Sequence, residues 1–180
     1  MSQIPGSLKG RLLMAMPGLP DPNFAQTVTC ICEHNDSGAL GFVINREHPL
    51  LTIRELFSDL KMPMLDAMDK MPIYLGGPVQ PGAVFILHGA PFDWEGCIRI
   101  TPEIGLSNTR DILVAMGQGK GPEHAMIVLG CAGWAPMQLD AEMAENSWLG
   151  GTLTMDILFE IRVDARWEQA MMHMDMEWGT

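Results

Sequence analysis

The chain has 180 residues, 47% of them hydrophobic, and 22 acidic side chains against 11 basic ones give a net charge of -11 and a pI near 4.7. A chain of this length buries roughly 70% of its unfolded surface and holds a core without disulfides or metals, and 18% charged residues with a slightly positive mean hydropathy exclude an intrinsically disordered protein. No apolar run reaches the roughly 18–20 residues of a membrane span, Met1 to Lys9 lacks a signal-peptide pattern, and the acidic balance opposes duplex binding, which relies on Lys and Arg.

From the N-terminus, Met14 to Pro20 reads as a Pro/Gly loop ending at Asp21, a capping residue, with Pro22 at the first position of a short helix. Val28 to Glu33 alternates as a strand, with Val28, Cys30 and Cys32 on one face and Thr29, Ile31 and Glu33 on the other. Asn35-Asp36-Ser37-Gly38 is a turn signal, and Ala39 to Ile44 returns as a buried strand. This predicts a hairpin with a loop of four or five residues.

Thr52 and Glu55 form a capping box ahead of Ile53, Leu56, Phe57 and Leu60 at helical spacing. Met62 to Met71 is loop-like, with room for one helical turn. Ile73 to Leu75 is a strand entering Gly76-Gly77-Pro78. Val84 to His88 is a second strand, and Cys97 to Ile100 a third after a turn at Asp93 to Gly96. Ser107 and Asn108 cap a helix to about Met116, with Ile112, Ala115 and Met116 inward, which stops at Gly117 to Pro122. Ala125 to Leu129 is a buried strand, and Gly130 to Trp134 turns into a helix from near Pro136 to about Trp148. From Asp164, Trp167, Ala170, Met171 and Met174 share the face of a final amphipathic helix. The elements interleave without a regular βαβ rhythm. They read as α+β or irregular α/β in one unit over residues 1–180, with room for a small subdomain in the middle segment.

Four cysteines, Cys30, Cys32, Cys97 and Cys131, in a leaderless chain predict reduced thiols and a cytoplasmic protein. Sixteen methionines read as core fillers. Cys30-x-Cys32-x-His34 sets two sulfurs and an imidazole on one strand face, but a zinc site needs three or four convergent ligands and no second pair has zinc spacing. Gly130-Cys131-Ala132-Gly133, between a strand and a helix, has the outline of a nucleophile elbow, and a helix N-terminus there would lower the thiol pKa. The plainer reading is a tight turn that needs glycine. Gly117 to Gly121 follows a helix and precedes a strand, the reverse of phosphate-loop order, and no Ser or Thr follows Lys120. Gly76-Gly77-Pro78 permits close backbone approach to a ligand or is a plain turn. Gln138 and Glu142 share a helix face, but acids in first turns are also what the helix dipole favours. After residue 130 the net charge is -7, read as a solvated helix face.

Taken in order, Ala15-Met-Pro-Gly-Leu-Pro-Asp-Pro-Asn-Phe24, Cys32-Glu-His-Asn35, Gly38-Ala-Leu-Gly41, Ile44-Asn-Arg46, Gly76-Gly-Pro-Val79, Leu87-His88, Gly130-Cys-Ala-Gly-Trp134, Gln138-Leu139 and Glu142 to Leu149 form one pattern. In this order and spacing the chain resembles the YqgE/AlgH family of bacterial proteins over nearly its whole length. The resemblance implies an α+β fold in which a bifurcated, mostly antiparallel sheet curls into a pseudo-barrel with helices packed around it. The family is largely uncharacterised, and one branch was labelled a transcriptional regulator through alginate production. Two departures stand out. Glu47 follows Asn45-Arg46 where relatives continue with proline, and Cys131 stands where relatives often have tyrosine.

The family supplies no settled catalytic residues. The matching polar and turn positions are His34, Asn35, Asn45, Arg46, Gly76, Gly77, Pro78, His88, Gly133, Trp134, Gln138 and Glu142, at turns and strand ends where function concentrates. The leading expectation is a non-enzymatic module that binds a small molecule or a protein partner. Its ligand-binding set is His34, Asn35, Asn45, Arg46, Gly76, Gly77, His88, Trp134, Gln138 and Glu142, with Arg46 as an anion anchor. Neither cofactor nor metal is expected, any transcriptional role is indirect, and no basic recognition helix suggests DNA contact. The alternative is a thiol- or His-dependent enzyme, for instance a hydrolase, pairing Cys32 or Cys131 with His34 or His88.

Overall fold

The structure, a computed structural model, describes residues 6–16 and 26–172. The expected Asp21-Pro22 helix start and Met174 lie outside these residues. The strands are β1 (Arg11–Ala15), β2 (Val28–Asn35), β3 (Gly38–Val43), β4 (Ile73–Leu75), β5 (Val79–His88), β6 (Ile98–Thr101), β7 (Ile104–Ser107), β8 (Ala125–Trp134) and β9 (Trp148–Thr152). The helices are α1 (Ile53–Asp59), α2 (Arg110–Gly117), α3 (Gln138–Ala144) and α4 (Arg166–Met172), with a π turn at Asp156–Glu160. Among the described residues no helix is long and apolar enough to cross a membrane.

The strands form one sheet in the order β6-β7-β5-β8-β3-β2-β1-β9, antiparallel throughout, with β4 added in parallel to β8. This is the α+β architecture expected. The sheet forks at β8. Its first half lies between β5 and β4, and its second half pairs with β3 through Ala39↔Trp134, Leu40↔Gly133 and Gly41↔Ala132. The fork depends on Gly130, whose φ of +74° suits glycine and resets the alternation. Met126, Val128 and Cys131 therefore face one apolar cluster, Ile127 and Leu129 a second, and Ala132 and Trp134 a third.

The first cluster fills the inside of the curl with Leu12, Met14, Phe42, Leu87, Ile104 and Leu106, and Leu158 and Ala170 plug its end. The second packs α1 and α2 on the sheet through Ile53, Phe57, Ile112 and Met116. The third seats α3 through Leu139 beside Leu8, Leu13 and Ile31. The curl brings the start of β1 to β6: a Cβ on Gly10 would sit 3.3 Å from the Thr101 methyl and 3.4 Å from the Ile100 carbonyl. Among the described residues no strand pairing joins β6 to β9, so the pseudo-barrel they form is open along a seam.

Several elements follow the sequence reading. Thr52 accepts a hydrogen bond from the Glu55 N–H, and Ile53, Leu56 and Phe57 are buried below it. The helical turn in the Met62-to-Met71 loop falls at Asp66–Met68. Others differ. Asn35 pairs with Gly38, so the hairpin loop is the two residues Asp36 and Ser37, and Asn35 Oδ1 accepts from the Ser37 N–H at 2.8 Å. Met14 and Ala15 belong to β1, because β9 supplies their backbone partners at Leu149 and Trp148. Ser107 ends β7, a strand the sequence reading missed, and the helix starts after Thr109 with Leu113 rather than Ala115 buried. Gly130 to Trp134 continues β8 because β3 supplies its backbone partners. The following helix ends at Ala144, and Trp148 opens β9.

Candidate functional site

The expected site residues fall into three groups. The first surrounds α3. Glu142 Oε1 accepts from the indole N–H groups of Trp134 at 3.0 Å and Trp148 at 2.9 Å, and Oε2 accepts from Gln138 Nε2 at 2.9 Å. Part of the acidic excess of the C-terminal third thus holds the core together instead of facing water. His34 Nδ1 accepts from the buried Leu8 N–H at 2.9 Å, so Nε2 carries the proton and donates to Asp140 at 3.2 Å.

His34 does not share a face with the cysteines. A bulge at Cys32 pairs Glu33 with Leu40 and His34 with Ala39, which turns His34 toward the α3 side and leaves Cys30 and Cys32 in the interior cluster. Those two sulfurs lie 3.9 Å apart, and burial, then the Cys30 contact, pushes the Cys32 thiol well above its ordinary pKa. Among the described residues no three His, Cys, Asp or Glu side chains are placed to hold a metal ion.

The second group pins loops to strands. Asn45 Oδ1 accepts from the Val28 N–H at 2.8 Å, and its amide donates to the Gln26 carbonyl at 3.0 Å. The Arg46 carbonyl accepts from the Leu75 N–H at 2.8 Å. Gly76 bonds through its own N–H and carbonyl to Leu129 and Val43. A Cβ on Gly76 would fall 2.4 Å from the Gly130 carbonyl oxygen, and one on Gly77 2.3 Å from that of Cys131. Glycine is required here by contact with β8.

The third group is at the far end of β8. His88 pairs with Ala125, whereas the neighbour of His34, Ala39, pairs with Trp134. At ~3.3 Å per residue along β8 the two histidines stand ~30 Å apart, so no single crevice holds both. His88 is fully buried. Its Nδ1–H donates to the Gly89 carbonyl at 2.7 Å, and Nε2 accepts from the Ser107 hydroxyl at 2.8 Å. Burial lowers its pKa and keeps it neutral. Cys131 sits in mid-strand, not at a helix N-terminus, and burial raises its thiol pKa.

The structure adds two features that the sequence reading missed. Arg166, at the start of α4, is 4% exposed and donates to the backbone carbonyls of Ile44, Ile161 and Leu158 over the Tyr74 ring. In sequence it looks like a solvated cation of an amphipathic helix. The second is the seam. Two cavities of about 470 and 380 Å³ share Thr152, Thr154 and Asp156 and so form one trough. One end is walled by Leu12, Ile157, Ile161, Gln169 and Ala170, and the other by Thr101, Glu103 and Ile104. Hydroxyls, one amide and two carboxylates line it, and among the described residues no Lys, Arg or His does. The alternation of exposed Thr152 and Thr154 around buried Leu153 was its one signal in the sequence.

The sequence profile of the family described as AlgH-like matches residues 12–179. A UPF0301 protein of Desulforapulum autotrophicum is 62% identical over 169 residues, 94% of this chain and 89% of that one. A UPF0301 protein of Nitrosococcus oceani is 44% identical over 90% of this chain and 87% of its own length. The solution structure of the AlgH protein from Pseudomonas aeruginosa superposes with a TM-score of 0.80 at 38% identity, covering 96% of this chain and 92% of that one. Protein DIP2367 of Corynebacterium diphtheriae shares the fold, with a TM-score of 0.72 at 18% identity over 99% of this chain and 92% of that one. With its forked sheet, open seam and ordered motifs, the chain belongs to the AlgH-like, UPF0301 family.

Proposed function

We propose that this protein is a small-ligand-binding module whose site is the trough along the open seam of the pseudo-barrel. The trough carries the reading: it is a concave site where a few polar groups converge beside apolar walls, and its volume suits a small molecule. Its lining selects the ligand chemistry. Asp156 and Glu103 favour an amine or another hydrogen-bond donor, the threonine hydroxyls suit a polyol, and among the described lining residues an anion meets two carboxylates and no cation. This reading places the ligand at the seam and not at Arg46, whose role as an anion anchor is a separate proposal. The thiol pairings of the enzyme alternative lose support, because the sulfurs of Cys32 and Cys131 have Cys30 and the Val79 carbonyl as partners and burial holds both protonated. On this reading any effect on transcription passes through the loaded protein and its partner.

Putrescine, sorbitol and citrate in a thermal-shift series, followed by calorimetric titration, test it. The amine or the polyol raises the melting temperature, citrate does not, and Asp156→Asn combined with Thr154→Val weakens binding about tenfold or more, as loss of a charge-assisted hydrogen bond implies. A response to citrate alone, or an affinity unchanged in the double variant, removes the trough as the site.

A further inference from the structure

We propose that Cys97 is a covalent-modification site for small soft electrophiles of the α,β-unsaturated carbonyl class, with His88 Nε2 accepting its proton. Cys30, Cys32 and Cys131 are buried, whereas Cys97 is partly exposed. Its Sγ lies 3.8 Å from His88 Nε2. Because His88 Nδ1 gives its hydrogen to the Gly89 carbonyl, the neutral ring presents an unprotonated Nε2 to both Ser107 and Cys97. A nucleophile and a proton acceptor thus meet at one spot, and the acceptor's tautomer is fixed by the backbone.

The fold builds this approach from two sides. Gly105, opposite His88 on β7, leaves the space empty: a Cβ there would stand 3.1 Å from Cys97 Sγ and 3.1 Å from His88 Cε1. Any larger residue would push thiol and imidazole apart. The loop before Cys97 is held by the Glu95 N–H on Asp111 at 2.9 Å and the Gly96 N–H on Thr109 at 3.2 Å. The thiol is therefore presented by a fixed turn, which lowers the entropy cost of reaching the attack geometry.

The reaction balances without a further reagent. The sulfur attacks the β-carbon and forms the S–C bond while the electron pair of the C=C bond moves toward the carbonyl. The thiol proton passes to Nε2 and then to the α-carbon, which restores neutral His88. Ser107 competes for the same lone pair, so its hydroxyl restrains the thiol.

Limiting N-ethylmaleimide on the native protein, read by peptide mass spectrometry, tests the assignment. Cys97 is labelled first. Ser107→Ala speeds its labelling severalfold by freeing Nε2, while His88→Gln slows it about a hundredfold or more, the lower end of a general-base contribution. If His88→Gln does not fold, Ser107→Ala decides alone: a faster rate supports the proposal, and an unchanged or slower rate overturns it. Faster labelling of any other cysteine, or a Cys97 rate indifferent to His88, also overturns it.

Discussion

At the scale of single residues the fold turns polar groups inward more often than composition suggests. Glu142 is spent on two indoles and Asp140 on His34. Arg166 is satisfied by carbonyls, and His88 is buried neutral with both nitrogens bonded. This last placement has a pH consequence. Burial lowers the His88 pKa in the folded chain, whereas the unfolded chain takes the proton near the ordinary value of about 6.5. The unfolded state then binds more protons than the folded one as pH falls below that value. The contribution is thus complete above about pH 6.5 and is lost as pH drops toward the folded pKa. Urea unfolding between about pH 7.5 and 5.5 should show stability falling with acid. The fall should be shallower in His88→Gln, which cannot take the proton; equal slopes would mean the imidazole is accessible to protons when folded.

At the scale of elements, the decisive device is the pair of close passages beside β8. Gly76 and Gly77 cross β8 where a Cβ would overlap a carbonyl oxygen, whereas a Cβ on Gly133 meets nothing within 4 Å. Gly77→Ala should cost more than about 2 kcal/mol by overpacking against backbone that cannot give way. Gly133→Ala should change stability by about 0.5 kcal/mol or less. Chemical denaturation of the two variants side by side checks the contrast. The same strand shows what was legible in the sequence. The apolar alternation in β2, the continuous apolar run Ala125 to Leu129 in β8 and the capping box of α1 are local signals, and each produced its element. The stretch Gly130 to Trp134 carries a turn signal of equal strength, yet pairing with β3, ~90 residues away in sequence, overrides it. The bulge at Cys32 is equally silent in the sequence, and it separated His34 from the cysteines. The seam arises only when distant strands meet, and the Cys97–His88 contact, though it spans nine residues, is made across β7, a strand without a clear signal in the sequence.

At the scale of the whole molecule, one strand joins all three apolar clusters. Val128 packs inside the curl, Ile127 packs under α1 and α2, and Trp134 packs beside α3. A subdomain built from the middle segment, including α1, α2, β4 and β5, would have to keep its cluster while the others opened. Ile127 and Leu129 in that cluster alternate along one backbone with Met126 and Val128 in the interior one, so neither cluster can lose β8 without the other losing it too. We therefore expect the chain to unfold as a single cooperative unit. The tryptophans make this measurable, because Trp134 and Trp148 report the α3 cluster and Trp94 packs against the α1–α2 cluster. Urea transitions followed by tryptophan emission in a variant that keeps only Trp94 and in one that keeps only Trp134 and Trp148, the other tryptophans replaced by Phe, should each coincide with that variant's loss of far-ultraviolet dichroism. Separated midpoints within one variant would show that the middle segment melts on its own and that β8 does not couple the clusters.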